Sequence, residues 1–397
     1  MALKPTRLGT NGSANRRLGS WIEAFIDFTD NLESAPIFRK WTAITAIAAA
    51  LEQKTWLMTS SALYPNLYTI LVGYPGVGKT RTIMAARQFL AELPEFHIAP
   101  ISLTMASLVD FLCSAKRTII NLPYPAVEFH ACTLITDDWS AFMSAYDKDL
   151  IAGLTQFYDV WPYEHWRRGK EIRLKIPRPQ LNLIAGTTPS DLVDFMPVSA
   201  WGQGFTSRVI LVYSDERFVG DDFKHKRREL PEGMIHDLKV IYSLQGEFQT
   251  TEGYRQAIAD WRRGEENPKP SHPKLAHYNT RRRAHLYKLS MVSAVDRGNE
   301  LVLTDQDYQI ALGWLAEAEL NMPGIFEAGS STVDARAIDE IVDFIRRQGK
   351  PVPHHRVIRE TAQRVPAHAV LKVVEIMWLS GRIKKDTEAN TYLVRDE

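Results

Sequence analysis

The chain has 397 residues, 45% of them hydrophobic and 24% charged, and a formal net charge of +1. That length exceeds a single core of ordinary size and predicts two to three domains, while the composition excludes a disordered or fibrous chain. Near-neutral charge excludes a globally basic nucleic-acid coat, so any such surface must be a local patch of Lys and Arg.

Cys113 and Cys132 are too few for a disulfide framework or the usual zinc site, which predicts a reducing, cytoplasmic setting. The most apolar helical stretch, Trp41 to Leu51, has about half of the roughly 20 residues a membrane span needs. No signal-peptide pattern opens the chain, so a soluble protein without membrane contact is expected.

In chain order, residues 1–18 mix Gly, Ser, Asn, Pro and basic side chains and predict a disordered tail. Residues 19–54 carry helical spacing (Trp21, Phe25, Phe28, then Phe38, Trp41, Ile44, Ile47) and predict a helical collar. From 55 to 216, buried-strand patterns at Leu67–Val72, Cys132–Thr136, Leu181–Ala185 and Val209–Tyr213 alternate with helices Thr80–Leu93 and Met105–Ala115. This alternation predicts an α/β core with a parallel sheet. Residues 217–328 read as a helical lid with a proline-rich interruption near Pro268. Gly329-Ser330-Ser331-Thr332 reads as a linker. After it, helices Asp334–Gln348, His354–Arg364 and Ala367–Leu379 and a short hairpin predict a winged helix over 329–397.

The segment Gly73-Tyr74-Pro75-Gly76-Val77-Gly78-Lys79-Thr80 follows an apolar strand and opens a helix. Glycines at this spacing let backbone N–H groups curl round phosphates, and the helix adds the positive end of its dipole. Gly73, Pro75, Gly76, Val77 and Gly78 would form the cradle of a P-loop, Lys79 would reach the β- and γ-phosphates, and the Thr80 hydroxyl would bind Mg²⁺. Leu134-Ile135-Thr136-Asp137-Asp138 is an apolar strand ending in two carboxylates. Asp137 would hold Mg²⁺, and Asp138 would orient or deprotonate the attacking water; the alternative is a helix N-cap pair before Trp139.

Two further polar ends complete the candidate set. Gly186-Thr187-Thr188-Pro189 closes a strand and offers Thr187 or Thr188 beside the γ-phosphate, provided that strand lies between the other two. Arg208, in Phe205-Thr206-Ser207-Arg208, precedes the last strand, where a guanidinium could reach a neighbouring subunit's γ-phosphate.

In this order the four motifs resemble AAA+ ATPases. Tyr64-Pro65-Asn66-Leu67-Tyr68 and Ala185-Gly-Thr-Thr-Pro-Ser look more closely like the helicase-like ATPases of phages and prophages, similar to superfamily 3 and primase-associated helicases. The resemblance spans about residues 20–325. It implies ATP and Mg²⁺ as cofactors, a homo-oligomeric ring, usually a hexamer, with single-stranded DNA in its pore, and replication proteins as further partners. It also implies a lid residue on the nucleotide, for which Arg281, Arg282, Arg283 and Lys288 are candidates. A pore hairpin ahead of the sensor strand falls at Tyr163 to Pro177, with Trp166, Arg167, Arg168, Gly169 and Lys170 at its tip; cations there would track phosphates and the aromatic would stack on a base. In the winged helix Arg356, Arg359, Lys372, Lys384 and Lys385 could face duplex phosphates. The expected activity is a DNA helicase or replication initiator of a phage or other mobile element. The rivals are a helicase loader or protein-remodelling switch, and an ATP-timed DNA-binding regulator.

Overall fold

The computed structural model of the chain describes residues 16–119, 126–143, 147–167, 172–196, 201, 204–218, 230–365, 367, 369–386 and 389–394. Apolar runs become the strands Tyr68–Val72, Val127–Thr136, Pro179–Thr187 and Val209–Tyr213, all parallel where they pair. Three of the four are buried at every position, the two-face burial that makes such strands read as unbroken apolar runs. Across the sheet the order is Val209–Tyr213, Tyr68–Val72, Pro179–Thr187, Val127–Thr136, Ile98–Ala99. Lys116–Ile119 adds an antiparallel partner to the first half of Val127–Thr136. Helices Lys79–Ala91 and Met105–Ser114 connect these strands, the second opened by a capping box between Thr104 and Ser107. The mixed α/β class and parallel core sheet expected from the sequence are therefore present.

Helix Pro36–Leu51 corrects the expected collar. Every residue from Trp41 to Leu51 is buried, and the helix packs on strands Tyr68–Val72, Pro179–Thr187 and Val209–Tyr213 and on helix Lys79–Ala91. A helix apolar on all sides belongs inside a core rather than on a surface.

The tail also ends earlier than expected. The buried Asp237 carboxylate accepts the N–H groups of Arg17 at 2.8 Å and Leu18 at 2.9 Å. Asp296 accepts the Ser20 hydroxyl at 2.6 Å and the Trp21 N–H at 2.7 Å. Local composition carries no sign of these distant acceptors. Residues 1–15 lie outside the described residues.

The region expected to be a purely helical lid contains helices Glu232–Ser243, Glu252–Arg263 and Arg282–Arg297, but also strands. Gly246–Thr250 and Val302–Leu303 join Thr55–Met58 and Ala62–Leu63 in a second sheet. Strands of two to five residues are too short to show a period of two in the sequence.

The chain forms two units, Met1–Thr188 with Asp194–Pro323 and Pro189–Val193 with Gly324–Glu397. The expected linker at Gly329–Thr332 is helical backbone within one long helix, Asp305–Gln348. The division falls instead at Pro323 and Gly324, where a missing N–H and a missing Cβ make the weakest helix positions. The second unit adds helices His354–Ala362 and Val370–Leu379 and a sheet in the order Val352–Pro353, Thr391–Val394, Ile383–Asp386. Ile341, Ile345, Val357, Val373, Met377 and Tyr392 are buried in its core. Among the described residues no helix is long and apolar enough to cross a membrane.

Candidate nucleotide site

The strand order brings three polar strand ends together. Val72 pairs with Thr187, and Thr136 with Ala185, so the Thr187 strand lies between the glycine-loop strand and the Asp137 strand. Gly73 N–H donates to Thr187 O at 3.2 Å. A Cβ on Gly186 would stand 2.5 Å from Asp137 O and 3.4 Å from Ile83 Cδ1, so this glycine lets the Asp137 strand end approach the first turns of helix Lys79–Ala91.

The glycine loop wraps round its own lysine. Lys79 Nζ donates to Gly73 O at 2.6 Å and to Tyr74 O at 3.0 Å. Gly76 and Gly78 hold φ of 86° and 78°, the left-handed region that favours glycine. At Gly76 a Cβ would meet nothing within 4 Å, whereas at Gly78 it would stand 2.4 Å from Glu33 O and 2.6 Å from Ser34 Cα. Ser34 beside it is buried, and its hydroxyl has no hydrogen-bond partner among the described residues. Pro75, Gly76 and Thr80 are exposed, Val77 and Lys79 buried. A glycine turn of this kind opening a helix, with an inner ammonium, is an arrangement that could hold phosphate groups.

Asp137 is half-buried and Asp138 exposed. Asp138 Oδ1 accepts the Ser140 N–H at 2.8 Å and caps the short helix Trp139–Phe142, so the N-cap alternative is present in the structure. Thr187 is buried and Thr188 half-buried. Among the described residues no group of three or more His, Cys, Asp or Glu side chains could hold a metal. A Mg²⁺ taken by one hydroxyl, one carboxylate and phosphate oxygens needs no such group.

The remaining candidates stand elsewhere. Arg208 pairs in register terms with the start of the sheet, since Val209 lies opposite Tyr68 and Tyr213 opposite Val72. Arg208 is thus level with Leu67, and six residue steps of about 3.3 Å put it roughly 20 Å down the strand from Gly73, the start of the glycine loop. Its side chain is 7% exposed and binds Asp159 and Gly204 O within the same chain. In the single chain Arg208 is therefore a buried, paired side chain rather than a surface arginine. Asp159 also accepts Arg281 Nη1 at 3.0 Å.

Two of the basic candidates of the lid, Arg281 and Lys288, share that end. Lys288 Nζ donates to Asn66 Oδ1 at 2.7 Å and to Asn66 O at 2.8 Å, and burial pushes its ammonium well below the usual lysine range. Arg282 is buried and committed to Glu319, with Nε to Oε1 at 2.7 Å and Nη2 to Oε2 at 2.8 Å. Its expected contact with the nucleotide is therefore corrected: a guanidinium fixed by two carboxylate bonds and the Pro268 carbonyl is a structural tie. Arg283 is exposed. His285 lies between them, with Nε2 at 3.0 Å from Ser207 O and Nδ1 at 3.3 Å from the Tyr158 hydroxyl. Burial pushes its imidazole down to about 3. Asp159, which organises this buried cluster together with Asn66 of the Tyr64–Tyr68 segment, was not singled out from the sequence, because what it does depends on partners far along the chain.

The expected hairpin is present. Tyr163–Arg167 pairs antiparallel with Ile172–Ile176, Trp166 opposite Arg173. Trp166 and Arg167 are thus strand residues rather than tip residues, a correction that the two-residue longer pairing explains. Arg168, Gly169 and Lys170 lie outside the described residues. In the second unit Arg356, Arg359, Lys372, Lys384 and Lys385 are all exposed.

No family model matches this chain, and no curated protein matches it.

Proposed function

We propose that this chain is an ATP-hydrolysing, ring-forming DNA motor, a helicase or replication initiator of a phage or other mobile element. One observation carries the reading: the Thr187 strand lies between the Lys79 loop strand and the Asp137 strand, the arrangement an AAA+ core requires. Lys79 leaves its two loop carbonyls to meet the β- and γ-phosphates, and loop N–H groups take the remaining phosphate oxygens. Thr80 and Asp137 would hold Mg²⁺, which supplies charge neutralisation between the phosphates. Asp138 orients the attacking water with the carboxylate oxygen its cap does not use, and Thr188 or Thr187 fixes the γ-phosphate. Arg208 acts on the neighbouring subunit's phosphate after leaving Asp159, because the strand length separates it from its own loop. The hairpin Tyr163–Ile176 grips single-stranded DNA, and the C-terminal unit is a winged helix.

The test is ATP turnover and fork unwinding by the purified protein, with and without single-stranded DNA, alongside native mass. Stimulated turnover with strand displacement by a ring is expected. Turnover that ignores DNA, in a protein that displaces no strand, overturns the motor reading. A second reading, a protein-remodelling switch on the same ATPase core, is favoured by the exposed Leu371, Trp378 and Leu379 of the C-terminal unit. It predicts stimulation by a protein partner alone.

A further inference from the structure

We infer that Asp159, Gly204 and Arg281 form a resting seat for Arg208. Arg281 is its positioning residue: it keeps Asp159 neutralised when Arg208 leaves for a phosphate on a neighbouring subunit. The inference rests on the role given to Arg208 above. In the single chain the Arg208 guanidinium folds back on its own segment, with Nη1 donating to Gly204 O and Nη2 to Asp159 Oδ2. Its Nε is buried and has no hydrogen-bond partner among the described residues. A guanidinium is best satisfied by forked pairs of bonds to carboxylate or phosphate oxygens, and here it makes one bond to each of two acceptors.

The charge match is incomplete as well. Arg281 Nη1 donates to Asp159 Oδ1 at 3.0 Å, so two guanidiniums share one carboxylate. Among the described residues no other carboxylate bonds to either of them. A buried cation that shares its counter-charge and carries an orphan N–H is held less firmly than a fully matched pair. A phosphate supplies both the second negative charge and the forked acceptor. When Arg208 departs, Asp159 keeps Arg281, so release leaves no buried carboxylate bare. Gly204 sets how well the seat fits. A Cβ there would stand 2.8 Å from Arg208 Nη1 and 3.4 Å from Thr155 Cγ2. Nη1 is the far end of a flexible side chain, and Gly204 lies outside the left-handed backbone region. Alanine at this position therefore displaces the guanidinium rather than the backbone.

The experiment measures how readily Arg208 leaves the seat in the full-length protein without nucleotide. Phenylglyoxal modifies accessible guanidiniums, and peptide mass spectrometry gives the rate at Arg208 against the exposed Arg283 as internal reference. Gly204→Ala is expected to speed modification of Arg208 by about tenfold, because the rate follows the population of the open form. Arg281→Ala is expected to slow it several-fold, since Asp159 then belongs to Arg208 alone, and Arg281→Lys to restore most of the rate. A merely structural Arg281 gives the opposite sign, because loosening the cluster exposes Arg208. Equal rates in wild type and Gly204→Ala, or faster modification in Arg281→Ala, overturn the inference. ATP turnover against protein concentration separates the seat from the role of Arg208 itself. Half-maximal turnover is expected at lower protein concentration for Gly204→Ala and at higher concentration for Arg281→Ala, with Arg208→Ala inactive throughout. Unshifted curves for the first two beside an inactive Arg208→Ala overturn the seat and leave the trans-acting arginine standing. Full turnover by Arg208→Ala removes that arginine's role, and with it the phosphate named here, whatever the modification rates.

Discussion

Asp159 holds Arg208 inside a single chain, and the same carboxylate also binds Arg281. The Arg208 side chain is 7% exposed and that of Asp159 21%, so truncating the acid leaves a buried guanidinium without its counter-charge. Asp159→Ala is expected to cost about 3–5 kcal/mol, the range for breaking one partner of a buried pair. Arg208→Ala should cost a similar amount, and the double variant much less than the sum. Chemical denaturation of the four proteins checks this. Additivity within about 0.5 kcal/mol would show the two side chains to be energetically independent.

Asp138 offers a cleaner separation of structure from chemistry. Its Oδ1 caps the helix Trp139–Phe142, and Asn caps as well as Asp. Asp138→Asn should therefore keep wild-type stability and triphosphate affinity while turnover falls by at least about 100-fold, the lower end for loss of a positioned acid–base group. Lys79→Ala in the same assay should lose affinity itself. Normal turnover by Asp138→Asn would leave that carboxylate as a cap alone and move the water-orienting role to Asp137.

Acid should weaken the protein through His285. Its imidazole is pushed from 6.5 down to about 3, first by burial and against the pull of the Ser207 carbonyl. The unfolded chain binds this proton below its ordinary value, and the folded chain does not until the depressed one. The contribution is therefore complete above pH 6.5 and is lost as pH falls towards 3, by about 1.4 kcal/mol per pH unit. Urea midpoints from neutral pH down to about 4 measure the slope. His285→Gln keeps a hydrogen-bonding side chain without the titration and should flatten that part of the profile; an unchanged slope would assign the acid sensitivity to other groups.

The core sheet was legible in the sequence because its strands are buried on both faces and leave apolar runs such as Val209 to Tyr213. The glycine loop was legible because Gly76 and Gly78 do locally what only glycine does readily. Residues whose role is settled by distant partners were not: nothing near Arg282 announces Glu319, and nothing near Arg208 announces Asp159. Trp41 to Leu51 shows helical spacing, but only its lack of a polar face distinguishes a buried helix from a collar, and that absence was the signal left unused. Short strands such as Val302–Leu303 exist by virtue of their neighbours and carry no pattern of their own.

The anchoring of Ser20 and Trp21 by Asp296 has a consequence for synthesis. The Trp21 N–H and its acceptor are separated by 275 residues, and the helix Pro36–Leu51 packs on strands that end as late as Tyr213. At roughly 5–20 residues per second, a ribosome needs about 14 to 55 s to deliver Asp296 after Trp21 has left the peptidyl-transferase centre. Until Val209–Tyr213 has been made, helix Pro36–Leu51, buried at every position from Trp41 to Leu51, waits without part of its cover. Contacts that form this late leave apolar surface exposed during synthesis, the condition under which nascent chains become prone to aggregate.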